Sequence, residues 1–403
     1  MSLGVRLVVL AAGCAVLVAC IPTSPADSGN GDGGTAGAAG GSASGGSAGT
    51  GGGAGGAGGG AGGAGGGAGG AGGGTGGAGG GTPAGALPLG TLLYVRSETK
   101  DHDVLVARDL AANSERVITD LRGDGSQGWE IDSYALSPDR RRVALASLYG
   151  PTAEDTATGL ATRRIWNLAV DGTDFRRVTP VFKNTGVGKN TFQIDIGEPF
   201  FTQDGSKVGY GYGEYWWEGT TFKGGSFPWL VAADGSSLPS SLTTSTDCAV
   251  IHGSRNPATG DLLFIHSVCI PGTSEVGLYL YPEGGGTNPA RLVGRATDGV
   301  DPHLTTPSWL PDGSGFLFIG QTNDQQQHMY MYDMSAHRAT ALFDPPAGAS
   351  FYGVAIAPDA SKIVYCLWDD ETQARDLHVI DLAPATPTDS ALTTDGKSCQ
   401  PSF

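Results

Sequence analysis

From Leu87 onward the apolar residues fall in short runs bounded by turn residues, not at helical spacing. The clearest run is Phe316-Leu317-Phe318-Ile319, which follows Pro307-Ser308-Trp309-Leu310 across Pro311-Asp312-Gly313. Pro presets φ, Asp bonds its own backbone and Gly accepts positive φ, so the stretch reads as strand, tight turn, strand. The same unit recurs at Tyr134–Asp139, Pro199–Gly205 and Val354–Asp359, with a degenerate copy at Asn256-Pro257-Ala258-Thr259-Gly260. Two further strands follow in each unit. Examples are Met329–Asp333 before Ala339–Phe343, Leu377–Asp381 before Ala391-Leu392-Thr393, and Val104–Asp109 before Arg116–Thr119.

Pro311 follows Pro257 by 54 residues, and Pro358 follows Pro311 by 47. A repeat of roughly 40–50 residues carrying four short strands predicts a β-propeller, an all-β fold. Both ends are incomplete units. Gly90–Val95 matches a second strand with no first strand before it, and Gln400–Phe403 matches a first strand with nothing after it. The C-terminal strand is therefore expected to complete the N-terminal blade, giving six four-stranded blades and a ring without exposed edges.

The Pro307–Gly313 signature, Asp171-Gly172, Asp234-Gly235, Val178-Thr179 and Leu392-Thr393 together resemble the TolB-like propeller repeat. The resemblance covers nearly all of 87–403. It implies an architecture and leaves the activity open, since one repeat serves many functions. In TolB itself a small α/β domain stands where this chain carries a low-complexity tether.

Residues 1–19 read as a signal peptide: Arg6 gives a positive n-region, and the apolar run Leu7–Val18 is too short to span a bilayer. Leu17-Val18-Ala19-Cys20 resembles the bacterial lipobox, which implies lipidation of Cys20, while Ile21 after it implies outer-membrane sorting. The alternative is an ordinary secretory signal with a chance cysteine. Residues 20–86 are the lipidated cysteine and a Gly/Ala-rich tether, with nothing to bury and an expected span of about 40 Å. Gly45-Gly46-Ser47-Ala48-Gly49 matches a hydrolase pattern, but neither strand nor helix flanks it.

Net charge is −16, and removal of Arg6 with the signal leaves −17. That excludes a nucleic-acid binder of the usual basic kind and otherwise reads as a solvated surface. No H-E-x-x-H or C-x-x-C spacing occurs, so the sequence predicts no catalytic residue, cofactor or protein-bound metal. Two regions are candidate ligand sites. The first is the segment Gly211–Gly225 of the third unit, read as a long loop with Tyr215, Trp216 and Trp217 as stacking residues; the long polar stretch Pro180–Gly197 precedes that unit. Its alternative is a pair of tryptophans folded back as a lid. The second is a ring near the central channel made by Asp132, Glu198, His252, Thr306, Gly353 and Gln400, with Asp195, Asp247 and Asp301 nearer the mouth. A small polar ligand or a channel-bound cation fits there, against the plainer reading of inter-blade hydrogen bonds.

Four cysteines remain in the exported chain. Hairpin counting pairs Cys248 with Cys269, and similar strand heights pair Cys366 with Cys399 across the closure; the alternative for the second pair is two buried thiols. The functional expectation is a monomeric envelope lipoprotein held to the membrane by its lipid, displaying a propeller to a protein or glycan partner. The alternatives are a lyase or hydrolase of envelope or extracellular polysaccharide, and a structural envelope protein without a small ligand.

Overall fold

The computed structural model describes residues 85–403 apart from 100–101, 123–130, 150–162, 181–189, 219–220, 244–248, 268–274, 287, 303–304, 323–325 and 385. The lipobox, Cys20, the tether, Asp247, Cys248 and Cys269 lie outside the described residues.

Six antiparallel sheets form six blades. The first holds β1 (Thr91–Thr99), β2 (His102–Asp109) and β3 (Ser114–Arg122). The second holds β4 (Ile131–Leu136), β5 (Arg142–Ser147), β6 (Arg164–Ala169) and β7 (Arg176–Arg177). The third holds β8 (Asn190–Phe201), β9 (Lys207–Glu218), β10 (Thr221–Ala232) and β11 (Ser240–Ser241). The fourth holds β12 (Ala249–Arg255), β13 (Leu262–Ser267), β14 (Gly277–Tyr281) and β15 (Ala290–Gly294). A one-turn helix, α1 (Arg295–Asp298), leads to the fifth. There the inner strand is split into β16 (Val300–Pro302) and β17 (Ser308–Trp309), both on β18 (Gly315–Thr322), followed by β19 (Gln327–Asp333) and β20 (Arg338–Phe343). The sixth holds β21 (Ala349–Ile356), β22 (Lys362–Asp369), β23 (Arg375–Asp381) and β24 (Thr388–Ala391). The last strand, β25 (Ser398–Ser402), pairs with β1 and completes the first blade.

The apolar runs are continuous because each blade is covered on both faces. Strand alternation then sends odd and even residues to different cores. Leu93 and Val95 pack between the first and second blades, while Leu92 and Tyr94 pack between the first and sixth. In β18, Phe316 and Phe318 face the fourth blade and Leu317 and Ile319 face the sixth. Each such side chain contributes about 1.5–3 kcal/mol by burial, so neighbouring blades are held mainly by side chains rather than by backbone bonds.

The closing seam carries the Cys366 and Cys399 sulfurs at bonding distance, with Cα atoms 5.1 Å apart. Blades converge toward the axis, so the wider spacing of stacked sheets does not hold there. In the fourth blade a bulge between Ile251 and Ser254 moves the register by one residue, so that Ala249 faces Ser267. Hairpin counting had no means of seeing that shift.

The two faces of the ring are unlike. On one, the turns between first and second strands all place an acidic residue to accept the backbone N–H two residues on: Asp139 from Arg141 at 3.1 Å, Asp204 from Ser206 at 2.9 Å, Asp312 from Ser314 at 2.9 Å and Asp359 from Ser361 at 3.0 Å. Asp109, Asp171, Asp234, Asp333 and Asp381 do the same between third and fourth strands. The chain enters on this turn face, where the Leu87 N–H donates to the Arg140 carbonyl at 2.9 Å. The other, upper face carries the irregular connections.

Candidate functional site

The ring position predicted from the sequence is a real structural feature. In the innermost strand of the first, second, third, fourth and sixth blades the ladder is broken by a bulge there. In the fifth the inner strand is interrupted outright, between β16 and β17. A bulge bends the strand and re-aims its side chains. Glu198 (φ 52°), His252 (φ 54°) and Gln400 (φ 58°) all hold the left-handed conformation that side chains avoid.

The polar members are chained across the blades. The Gln400 Nε2 donates to the Asp132 carbonyl at 2.5 Å, and the Tyr134 hydroxyl donates to the Gln400 carbonyl at 2.5 Å. The Asp132 carboxylate lies 3.1 Å from the Arg163 guanidinium and accepts from the Ser133 hydroxyl at 3.1 Å. Ser133 Oγ in turn accepts the Glu198 N–H at 2.8 Å. The Glu198 carboxylate accepts the His252 N–H at 2.9 Å and lies 3.4 Å from His252 Nε2. Two glycines allow the close approach: a Cβ at Gly197 would lie 3.1 Å from Asp132 Oδ2, and one at Gly211 would lie 3.1 Å from Glu198 Oε2. The structure thus brings Asp132, Glu198 and His252 into one arc in which each has protein partners. That is the plainer of the two readings offered by the sequence. Thr306 is exposed and lies in the break of the fifth blade, and Gly353 packs near Pro401. Asp301 stands apart with Arg295 at 3.3 Å; burial raises its carboxyl pKa and the arginine opposes that. Among the described residues no three His, Cys, Asp or Glu side chains converge as a metal site.

The segment Gly211–Gly225 is not the loop that its glycines suggested. It is the upper half of a hairpin in which β9 and β10 each run 12 residues. The inner strand β8, also 12 residues, starts at Asn190, inside the stretch read as a polar loop. Central strands of the other blades run 5–9 residues. Alternation decided the matter: Gly209, Gly211 and Gly213 share one face with Tyr215 and Trp217, while Tyr210 and Tyr212 share the other with Trp216. The ladder sets Trp217 opposite both Phe222 and Asn190, Trp216 opposite Lys223, and Tyr215 opposite Gly224 and Gln193. Trp217 stands six residues above Gly211 at the ring level, about 20 Å along the strand. The side chains of Tyr215, Trp216, Trp217 and Asp195 lie outside the described residues.

A second upper-face group escaped the sequence reading. Arg375 sits over the Trp368 ring at 4.4 Å and the Tyr352 ring at 5.6 Å, and the two rings are 5.3 Å apart. The three residues lie on separate strands of the sixth blade, and only the Trp368–Arg375 register joins them. No local motif announces such a cluster.

No protein-family model matches the chain, and no curated protein matches it. Solved structures do resemble it in fold. TolB from Acinetobacter baumannii matches with TM-score 0.54 at 15% identity, over 78% of this chain and 66% of that one. A protein described as a TolB from Agrobacterium tumefaciens matches with TM-score 0.46 at 13% identity, over 75% and 89%. An oligogalacturonate lyase in complex with manganese matches with TM-score 0.45 at 15% identity, over 77% and 88%. Six four-stranded blades closed by a C-terminal strand, with this likeness, make the folded part of the chain a TolB-like β-propeller by architecture.

Proposed function

We propose that the chain is an envelope lipoprotein whose propeller is a binding module for a protein or glycan partner, engaged through the upper face of the third blade. The observation that carries this reading is the long hairpin of β9 and β10. It rises above the ring and bears Tyr215, Trp216 and Trp217 near its tip, and aromatic residues with few torsions are favoured binding anchors. The entry of the chain on the turn face supports it, since a lipid tether arriving there leaves the hairpin directed away from the attachment point. Replacing Trp216 and Trp217 together by Ala weakens partner binding by about 2–4 kcal/mol and moves the melting temperature little. Unchanged binding with a large loss of stability would reverse the assignment and make the tryptophans a lid.

A second reading, an enzyme acting on envelope or extracellular polysaccharide, rests on Glu198 and His252, a carboxylate and an imidazole 3.4 Å apart in the left-handed backbone conformation. Such constellations are a frequent form of acid–base site. It predicts release of new reducing or unsaturated sugar ends that stops in Glu198→Gln; an array of polysaccharides left intact by the full chain removes it.

A further inference from the structure

The third blade has an open backbone edge. In the other blades the third strand is bonded on its outer side up to or near its upper end. β2 pairs with β3 from His102, and β14 pairs with β15 from Gly277. The upper end of β23 receives Leu392, Thr393 and Gly396, and Ile165 at the upper end of β6 receives Val178. In the third blade β11 covers only Trp229 and Leu230, and the Leu242 N–H donates to the Pro228 carbonyl at 2.8 Å. Above that point, among the described residues, no strand pairs with the outer side of β10, and seven residues from Thr221 to Phe227 form a free edge about 23 Å long.

The bond to Leu242 fixes which groups point outward. In an antiparallel strand the N–H and C=O of one residue point the same way and alternate residues point oppositely. The Pro228 carbonyl points away from β9, so the N–H and C=O of Phe222, Gly224 and Ser226 do too. Pro228 sits where a missing N–H costs nothing inside the ladder, as edge prolines do. Gly224 and Gly225 leave the middle of the edge without side chains, so another backbone can approach closely. This alternating row of donors and acceptors is complementary to an extended peptide, and a sugar offers no such repeat. Tyr215, Trp217 and Phe222 share one face of the ladder beside it. The surrounding charge is acidic: Glu214 and Glu218 stand on the hairpin against Lys223, within a chain of net charge −16.

We infer that β10 is a docking edge for an extended, neutral-to-basic segment of a partner protein, which adds to the third blade as an outer strand through Phe222, Gly224 and Ser226. This rests on the binding-module reading and narrows its partner to a polypeptide. Strand addition gives affinity through main-chain bonds, and the aromatic residues beside the edge would read alternate side chains of the incoming strand.

The test uses the full chain in detergent micelles and a phage library of random dodecapeptides, with the selected peptides then synthesised. The expected result is selection of β-prone peptides poor in Asp and Glu, with new amide-exchange protection at Phe222, Gly224 and Ser226. Gly224→Pro removes one outward N–H without touching the β9 ladder, and it is expected to weaken binding at least 10-fold. Gly224→Ala keeps the N–H and is expected to stay within about 3-fold. Protection of β9 amides in Gly224→Pro reports that the hairpin itself is intact. If that protection is lost, the N–H-preserving Gly224→Ala and the exchange footprint of the unaltered chain decide. Peptides that bind equally well to the intact Gly224→Pro chain but lose affinity in the Trp216→Ala, Trp217→Ala chain would overturn the edge and leave the binding-module reading standing. Outward amides already protected in the free monomer would show the edge occupied by the chain itself. A dimer dissolved by Gly224→Pro would show a second copy as occupant. Either outcome overturns the proposal, as does failure to select any peptide.

Discussion

The turn face and the upper face are built from the same strands and follow different rules. On the turn face, nine aspartates in equivalent turns each accept a backbone N–H two residues ahead, in five different blades. Those bonds hold the Asp204 carboxyl down at about 2 and lower Asp312 and Asp359 in the same way. The upper face has no such repeat. There the inner-strand bulges, the aromatic hairpin, the Arg375 stack and the buried His266 differ from blade to blade. A repeated fold must solve the same closure problem in every blade, so its solutions recur in sequence. A face that varies between equivalent units is released from that demand, and individual features can accumulate on it.

Breaking the seam is expected to have the largest effect. The Cys366 and Cys399 pair closes a sequence separation of 33 residues and joins the sixth blade to the strand that completes the first. Reducing it lowers unfolding free energy by about 3–4 kcal/mol, measured by urea titration with and without reductant. Free thiols at both positions in the exported protein, found by non-reducing peptide mapping, would remove that contribution.

The upper half of the fourth blade sharpens the contrast through pH. His266 Nε2 bonds the Tyr281 hydroxyl at 2.7 Å, the ring stacks on Tyr279, and Nδ1 is buried without a partner. Burial pushes its pKa down to about 4 from 6.5. The folded state therefore refuses a proton that the unfolded chain accepts. The stability from this group is full above about pH 6.5 and is lost as pH falls through 4, by up to roughly 3 kcal/mol. His266→Gln flattens that slope. The depressed turn-face aspartates act only at lower pH, as it falls from the ordinary carboxylate range toward 2. A urea midpoint that stays constant between pH 6.5 and 4 would contradict the assignment.

A smaller effect comes from the turns themselves. Gly313 has φ 71°, and a Cβ there would lie 2.3 Å from Asn256 Oδ1 and 2.8 Å from the Ala258 Cβ. Gly313→Ala is expected to cost about 2 kcal/mol. Ala360 holds the equivalent place in the sixth blade at φ 55°, so Ala360→Gly is expected to gain about 0.5–1 kcal/mol. Opposite signs at these two positions, read from thermal unfolding, confirm that one turn geometry is imposed on every blade.

The fold was legible because it repeats. Pro-Asp turns, short apolar runs and the two incomplete ends led to six blades and to the β25–β1 closure, and Asp132, Glu198, His252 and Gln400 do occupy one register. What was not legible depended on contacts distant in the chain or on register. Arg163 meets Asp132 from another strand of its blade. The glycines of β9 read as a loop because they fill one face of a strand where side chains from β8 and β10 come close; at Gly211 the neighbours are Glu198 and Ser226. The bulge at His252 shifted the fourth-blade register by one, a change that no count along the sequence can reveal. The Trp368 and Arg375 stack needed the β22–β23 pairing to be seen at all.

The central claim, that the upper face of the third blade meets the partner while the turn face only holds the ring together, is tested most directly by photo-crosslinking in intact cells. A photoreactive residue is placed at Trp216 in one chain and at Asp359 in another. The account predicts discrete adducts from position 216 and none from 359. Adducts from 359 alone, or equally from both, would contradict it.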